Sequence, residues 1–132
     1  MVISFGRNRK KKNKCKLKKI LAELGKHPEG TFLDLMKFNT GTIGAGNISG
    51  ESPVWEMHPD TDELFYIIEG ELEFTLLEDA GAEQYSASGG SVFVVPKGIW
   101  HRGSSPAGVK FMYLTPGETR HSDAEDPRKS NT

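Results

Sequence analysis

The sequence is poor in cysteine and has no long apolar run. Cys15 is the single cysteine among 132 residues, which excludes an internal disulfide framework and a zinc site built from cysteines. No apolar run approaches the roughly 20 residues that a transmembrane helix needs. The first residues also lack the apolar stretch that follows the charges of a secretory signal. We therefore expect a cytoplasmic protein without a membrane span.

The length and composition predict one globular domain with many turns. Hydrophobic residues make up 36% of the chain and charged residues 27%, which is ordinary for a globular protein. The 15 glycines and 7 prolines are numerous enough to favour short strands joined by turns.

Charge is distributed unevenly, although the net charge is only -1. Residues 1–26 hold ten Lys or Arg and one acid, whereas the remaining 106 residues hold seven basic and seventeen acidic groups. Three interpretations of this basic segment stay open: a solvated arm without a role, a segment that binds nucleic acid or an anionic membrane by charge, and an artefact of the start site. The segment lacks interleaved aromatic residues and so has no platform for stacking bases.

Hydrophobic periodicity divides the chain into three parts. Residues 1–26 form a basic arm that ends in a short amphipathic helix, because Leu17, Ile20, Leu21 and Leu24 recur at helical spacing before Gly25. Residues 27–116 alternate apolar and polar residues in short runs about ten residues apart, which predicts an all-β sandwich or small antiparallel barrel. Residues 117–132 form a polar tail that we expect to be extended or frayed.

Two short segments carry the only recognisable chemistry. Glu56 and His58 are two residues apart, so in a strand both side chains share one face. Glu63 opens the next strand after a Pro-Asp turn, and His101 follows a Pro-Lys-Gly turn. Two imidazoles and two carboxylates are a ligand set for a divalent transition metal, and four ligands leave coordination positions open for a substrate.

These segments resemble the two motifs of the cupin superfamily. The spacing Gly50-x5-Glu56-x-His58-x4-Glu63-x6-Gly70 resembles the first motif, G(X)5HXH(X)3–4E(X)6G. The spacing Gly90-x5-Pro96-x-Gly98-x2-His101-x3-Ser105 resembles the second motif, G(X)5PXG(X)2H(X)3N. Two positions depart from the pattern, since Glu56 stands in the place of a His and Ser105 in the place of an Asn. Residues 30–128 are also similar to a group of small single-domain cupins, of the conserved-barrel cupin 2 type, to which no agreed activity attaches.

The resemblance implies a jelly-roll-like antiparallel β-barrel that holds a metal and often forms a homodimer. Its metal-binding positions fall on His58, Glu63, His101 and Glu56, and a carboxylate at position 56 favours Mn, Fe, Co or Ni, with Zn also open. Glu56 could instead be a catalytic acid or base beside the metal, or the metal could have been lost.

Candidate substrate contacts are Phe65, Phe74, Trp100 and Arg102. The two Phe residues point into the barrel by alternation, where core packing is the favoured interpretation, and Arg102 could equally bind an anion or pair with a surface acid. His27 and His121, which lie in polar loops of the sequence, are expected to be satisfied polar residues or surface residues. Three functions follow: a metal-dependent oxygenase or isomerase acting on a small organic molecule, a non-enzymic sensor that binds a metal or small molecule, and a nucleic-acid-associated protein that uses the basic arm.

Overall fold

The computed structural model describes residues 2–4 and 14–129, which form a nine-stranded sheet with one short α-helix. The strands are β1 (Val2–Ser4), β2 (Thr31–Phe38), β3 (Gly41–Glu51), β4 (Trp55–Met57), β5 (Glu63–Glu78), β6 (Gly81–Ser88), β7 (Val92–Val95), β8 (His101–Thr115) and β9 (Arg120–Ser122). The helix α1 spans Leu17–Leu24, and a 3₁₀ turn spans Pro127–Lys129. Within these ranges no helix is both long enough and apolar enough to cross a membrane.

The sheet curls into a half-barrel because its two longest strands, β5 and β8, pair with different neighbours along their length. Strand β8 pairs with β3, β4 and β5, and β5 pairs in turn with β6 and β7. The first half of β5 lies against the second half of β8, and the register breaks between Ile67 and Glu69 and again between Gly70 and Glu73. Bulges of this kind bend a strand and increase its twist. The predicted all-β architecture with a short N-terminal helix is confirmed.

Gly70 makes the bend of β5 feasible. Its φ of 92° lies in the left-handed region, and a Cβ at this position would overlap the carbonyl oxygen of Gly108. Only glycine has both the conformation and the space that this position requires. Nearby, the buried Ser105 hydroxyl donates a hydrogen bond of 2.6 Å to the carbonyl oxygen of Glu71, which ties β8 to β5 just after the bend.

Apolar side chains are buried on both faces of the curled sheet. The inner cluster consists of residues from β5, β6, β7 and β8, among them Phe65, Phe74 and Phe111. The outer cluster forms where α1 covers β2 and β3, with Ile20 and Leu24 of the helix fully buried. Each such side chain stabilises the fold by roughly 1.5–3 kcal/mol on burial. This helix accounts for the apolar periodicity seen in the basic segment.

Both ends of the chain add strands that the sequence analysis did not predict. Strand β1 pairs in parallel with β2, and β9 pairs with the inner strand β4. The tail is therefore built into the sheet, and the Arg128 guanidinium anchors its end by donating to the carbonyl oxygen of Glu78 at 2.9 Å. Residues 5–13, which hold five of the ten Lys or Arg of the basic segment, lie outside the described residues, as do Met1 and residues 130–132.

Candidate metal centre

Three neighbouring parts of the fold bring the four predicted ligands together. Glu56 lies in the middle of β4, directly opposite His101, the first residue of β8. His58 follows β4, and Glu63 is the first residue of β5.

The turns that precede Glu63 and His101 hold each other in place. The amide of Gly98 donates to the carbonyl oxygen of His58 at 2.8 Å, and the amide of Lys97 donates to Oδ1 of Asp62 at 2.9 Å. Asp62 is therefore occupied as a turn partner, in keeping with the expectation that Glu63 supplies the carboxylate.

The four side chains offer donor atoms that all lie within 4.8 Å of one another. Oε1 of Glu63 is 3.0 Å from Nε2 of His58 and 3.2 Å from Nε2 of His101. These three residues are buried, while the side chain of Glu56 is 43% exposed at the edge of the cluster. The arrangement is a buried centre with one solvent-facing carboxylate.

The hydrogen bonding of His101 shows that the cluster fits a cation. Its Nδ1 lies 3.1 Å from the carbonyl oxygen of Ile99, which can only accept, so Nδ1 carries the proton and Nε2 of the neutral ring has a lone pair. That Nε2 is buried and has no hydrogen-bond partner among the described residues, and it faces a carboxylate oxygen. A neutral imidazole and a carboxylate that face each other in a buried site need a cation between them, and either a proton or a metal ion can take that place. The donor set therefore fits a divalent metal.

Burial and pairing shift the pKa values of Glu63 and His58 in opposite directions. Burial raises the pKa of Glu63, but in the metal-free cluster the polar contacts with His101, His58 and Thr115 outweigh it and hold that pKa down to about 2. Burial lowers the pKa of His58, yet the bond to Glu63 outweighs it, and the pKa lies above the usual 6.5. Glu63 is thus a firm carboxylate over all ordinary pH values, as a metal ligand needs to be.

The C-terminal segment completes the centre. Thr115 donates a hydrogen bond to Oε2 of Glu63, and Oγ1 of Thr119 lies 3.0 Å from Nδ1 of His58. Nε2 of His121 is 3.2 Å from Oε2 of Glu56. His121 is an exposed, hydrogen-bonded residue, but it lies on strand β9 rather than in the expected loop and contacts Glu56 of the cluster. Thr119 and His121 share the two-residue spacing of a strand face, which would have revealed them had the tail been interpreted as a strand.

A cavity of about 420 Å³ opens beside the cluster. Phe65 and Phe74 line it, as their alternation in the sequence predicts, and Arg102 also borders it. The Arg102 guanidinium, however, lies 4.3 Å over the ring of Trp55, which faces away from Glu56 along β4. Trp100 is not among the lining residues, and its carbonyl oxygen accepts a hydrogen bond from the amide of Leu77.

A curled β half-barrel with a buried cluster of two His and two Glu defines a class of small proteins whose interior can bind a metal. The family model described as "Cupin domain" (Cupin_2) matches residues 47–116, from the middle of β3 to just past the end of β8. The chain belongs to this cupin family, and the resemblance drawn from the two motifs is confirmed.

Solved structures show the same fold. A cupin-2 domain containing protein from Shewanella frigidimarina is 23% identical, with a TM-score of 0.68 over 80% of this chain and 97% of that one. Protein NMB1881 from Neisseria meningitidis is 19% identical, with a TM-score of 0.66 over 79% and 99%. Hydroquinone 1,2-dioxygenase from Sphingomonas sp. TTNP3 is 15% identical, with a TM-score of 0.61 over 75% and 73%. No curated protein sequence matches the chain significantly.

Proposed function

We propose that this cupin is a metal-dependent enzyme that acts on a small organic molecule in an oxygenase or isomerase type of reaction. The observation that carries the proposal is the buried Nε2 of His101, which has no hydrogen-bond partner within residues 2–4 and 14–129 and faces Glu63 at the end of an apolar cavity. A purely structural His would have its second nitrogen satisfied. An open cavity beside the donors is what a catalytic centre needs and a structural metal site lacks.

In this proposal His58, Glu63, His101 and Glu56 hold the ion. When bound, the ion supplies Lewis-acid polarisation of a substrate oxygen and, if it is redox-active, one-electron chemistry. Two imidazoles and two carboxylates favour Mn, Fe, Co or Ni and also accept Zn. The two carboxylates balance the charge of a divalent ion, so the loaded site is neutral.

Glu56 has a second role open to it, that of catalytic acid or base. Its carboxylate is the most exposed of the four and already has a partner outside the cluster in His121. A group placed between the ion and solvent can exchange protons with a bound substrate, which a fully buried ligand cannot do. Glu63, by contrast, is hydrogen-bonded on both oxygens and is suited to ligation alone.

The positions of the four predicted substrate-binding residues support that role unequally. Phe65 and Phe74 line the cavity and would contact a bound molecule. Arg102 borders the cavity while its guanidinium covers Trp55, and Trp100 lies outside the lining, so the substrate roles of these two residues stay predictions. The dioxygenase activity of the Sphingomonas protein illustrates chemistry that the fold can host; the likeness to it shows the fold alone.

A homodimer is also part of the proposal. Leu64 on β5 faces Val94 on β7, and these two residues are exposed on the outer surface together with Val92. Helix α1 covers the neighbouring part of the same face but does not reach these strands. A second copy would remove this apolar strip from water.

The metal content of the purified protein tests whether the cluster holds an ion. We expect elemental analysis of protein purified without chelators to find about one transition metal ion per chain. The double variant His58→Ala/His101→Ala should contain none, and His27→Ala, which removes a partly exposed His paired with Glu23, should retain the wild-type content. Wild-type protein that neither contains nor takes up metal would contradict the proposal. Metal binding without turnover in any assay would favour the non-enzymic sensor instead.

A further inference from the structure

We propose that the cavity takes a single flat aromatic ring that carries an oxygen donor, as in a phenol or a catechol. This inference rests on the proposed metal-dependent function, since the ring oxygen would reach the ion held by the cluster. It goes beyond that proposal by naming the chemical class of the ligand.

The first argument is the composition of the cavity wall. Rings line the cavity and contact one another in an unbroken series, with centroid separations of 6.2 Å for Phe32–Tyr113, 6.0 Å for Tyr113–Phe111, 5.7 Å for Phe111–Phe65 and 5.0 Å for Phe65–Phe74. All of these pairs are edge-on or tilted. Such a wall presents ring edges and faces to a guest, and another aromatic ring packs well in both orientations.

The second argument is the separation of polar and apolar groups. The donors Glu56, His58, Glu63 and His101 line the same cavity as the rings, and so do the hydroxyl-bearing side chains of Thr115 and Thr119 that support the cluster. A guest must therefore be polar at one end and apolar over the rest of its surface. A ring with an oxygen at one edge meets both conditions, because its oxygen reaches the donors while its faces remain against the wall.

The third argument is charge. Two carboxylates line the cavity, and Arg102, the only Lys or Arg that lines it within residues 2–4 and 14–129, has its guanidinium engaged by Trp55. Burial, reinforced by Asp34, Glu63 and Glu56, raises the pKa of Tyr113 to about 12, so its phenol stays protonated and can donate a hydrogen bond. Apart from the cluster and its ion, the described lining offers no free cation to neutralise a ligand with several negative charges, which favours neutral or singly charged guests.

The volume of the cavity agrees with a ligand that has a single aromatic ring. A dry cavity of roughly 150 Å³ already accommodates benzene. The cavity of about 420 Å³ therefore has room for one substituted ring next to the cluster.

The test compares catechol with cyclohexane-1,2-diol on the metal-loaded full chain. The two probes carry the same pair of oxygens and differ in the flat ring. Titration calorimetry should give a dissociation constant for catechol at least about tenfold lower than for the diol, because only catechol stacks on the wall. Succinate, which carries two negative charges, should bind more weakly than catechol.

A cavity-filling variant locates the binding. Ile48 lines the cavity on β3, away from the cluster, so Ile48→Phe should abolish catechol binding while leaving metal content unchanged. Val94→Phe, which adds a ring of the same size on the exposed outer face, should leave catechol binding intact. Equal affinities for catechol and the diol, or failure of both to bind metal-loaded wild-type protein, would overturn the inference while the metal site stands. Absence of metal from the wild type would overturn the proposed function as well.

Discussion

Thr119, from the polar tail, lies with its hydroxyl 3.0 Å from Nδ1 of His58. The carbonyl oxygen of Glu118 lies 3.4 Å from the same nitrogen. These contacts hold the ring of His58 with Nδ1 toward the tail and Nε2 toward Glu63. The hydrogen bond that orients a metal-binding His fixes the position of its ring and contributes to the affinity for the metal. The tail is therefore part of the candidate metal centre.

Loss of the Thr119 hydroxyl should weaken metal binding without unfolding the protein. We expect Thr119→Val to lower metal affinity by roughly tenfold to a hundredfold, as for other partners of ligating histidines. Thr119→Ser, which keeps the hydroxyl, should restore it. Competition with a chromogenic chelator measures the affinity, and circular dichroism checks the fold. Equal affinities of the Val and Ser variants would show that the hydroxyl does not orient His58.

The metal-free protein should be most stable in mildly acidic solution. The pKa of Glu63 falls from 4.5 to about 2 in the folded state, so its contribution is present above pH 4.5 and is lost as the pH falls toward 2. The pKa of His58 is raised above 6.5, so its contribution is present below pH 6.5 and is lost as the pH rises through the folded value. Urea unfolding of chelator-treated protein across this range should show a maximum between the two limits.

Glu63→Gln provides the test of that profile, because it removes the partner of both histidines. In this variant the free energy of unfolding should no longer fall on either side of the maximum. Glu69→Gln removes an exposed carboxylate paired with Lys110 and should keep the wild-type profile. A wild-type curve that is flat on the alkaline side would contradict the pairing of His58 with Glu63.

The sequence predicted the parts of the centre that depend on local spacing. Glu56 and His58 share a strand face, and the two turns before Glu63 and His101 are marked by proline with aspartate or glycine, so four side chains could be assigned to one site. The same alternation placed Phe65 and Phe74 inside the barrel. Short-range rules suffice wherever the residues concerned lie on one strand or beside one turn.

The missed features all depend on long-range pairing. His121 and Glu56 are 65 positions apart and meet only because β9 adds to the edge of β4. A short polar strand has no apolar alternation to reveal it, so its pairing with the sheet leaves no trace in the composition. The position of Arg102 over Trp55 is also a contact between two strands, which the sequence of either strand alone does not predict.

Gly70 should tolerate substitution far less well than Gly90, although both have a φ near 90°. A Cβ at Gly90 meets nothing within 4 Å, so Gly90→Ala should cost only the strain of the left-handed conformation, about 1 kcal/mol. Gly70→Ala should cost more, roughly 2–4 kcal/mol, because its Cβ also overlaps the backbone at Gly108 and forces β5 and β8 apart. Urea unfolding of both variants measures the difference. Equal losses would show that the overlap at Gly108 is relieved without cost.

A charge on the outer strip should dissociate the predicted homodimer. Val94 lies opposite Leu64 on the exposed face of β5 and β7, so Val94→Asp places a carboxylate in the apolar strip that a second copy would cover. Burying an unpaired charge is costly enough to break a weak interface. Sedimentation equilibrium should find a dimer for the wild type and a monomer for this variant. Phe38→Asp, at an exposed apolar residue at the end of β2, is the matched control and should remain dimeric. A monomeric wild type would refute the dimer and leave the strip exposed in solution, whereas dissociation by both variants would place the interface elsewhere.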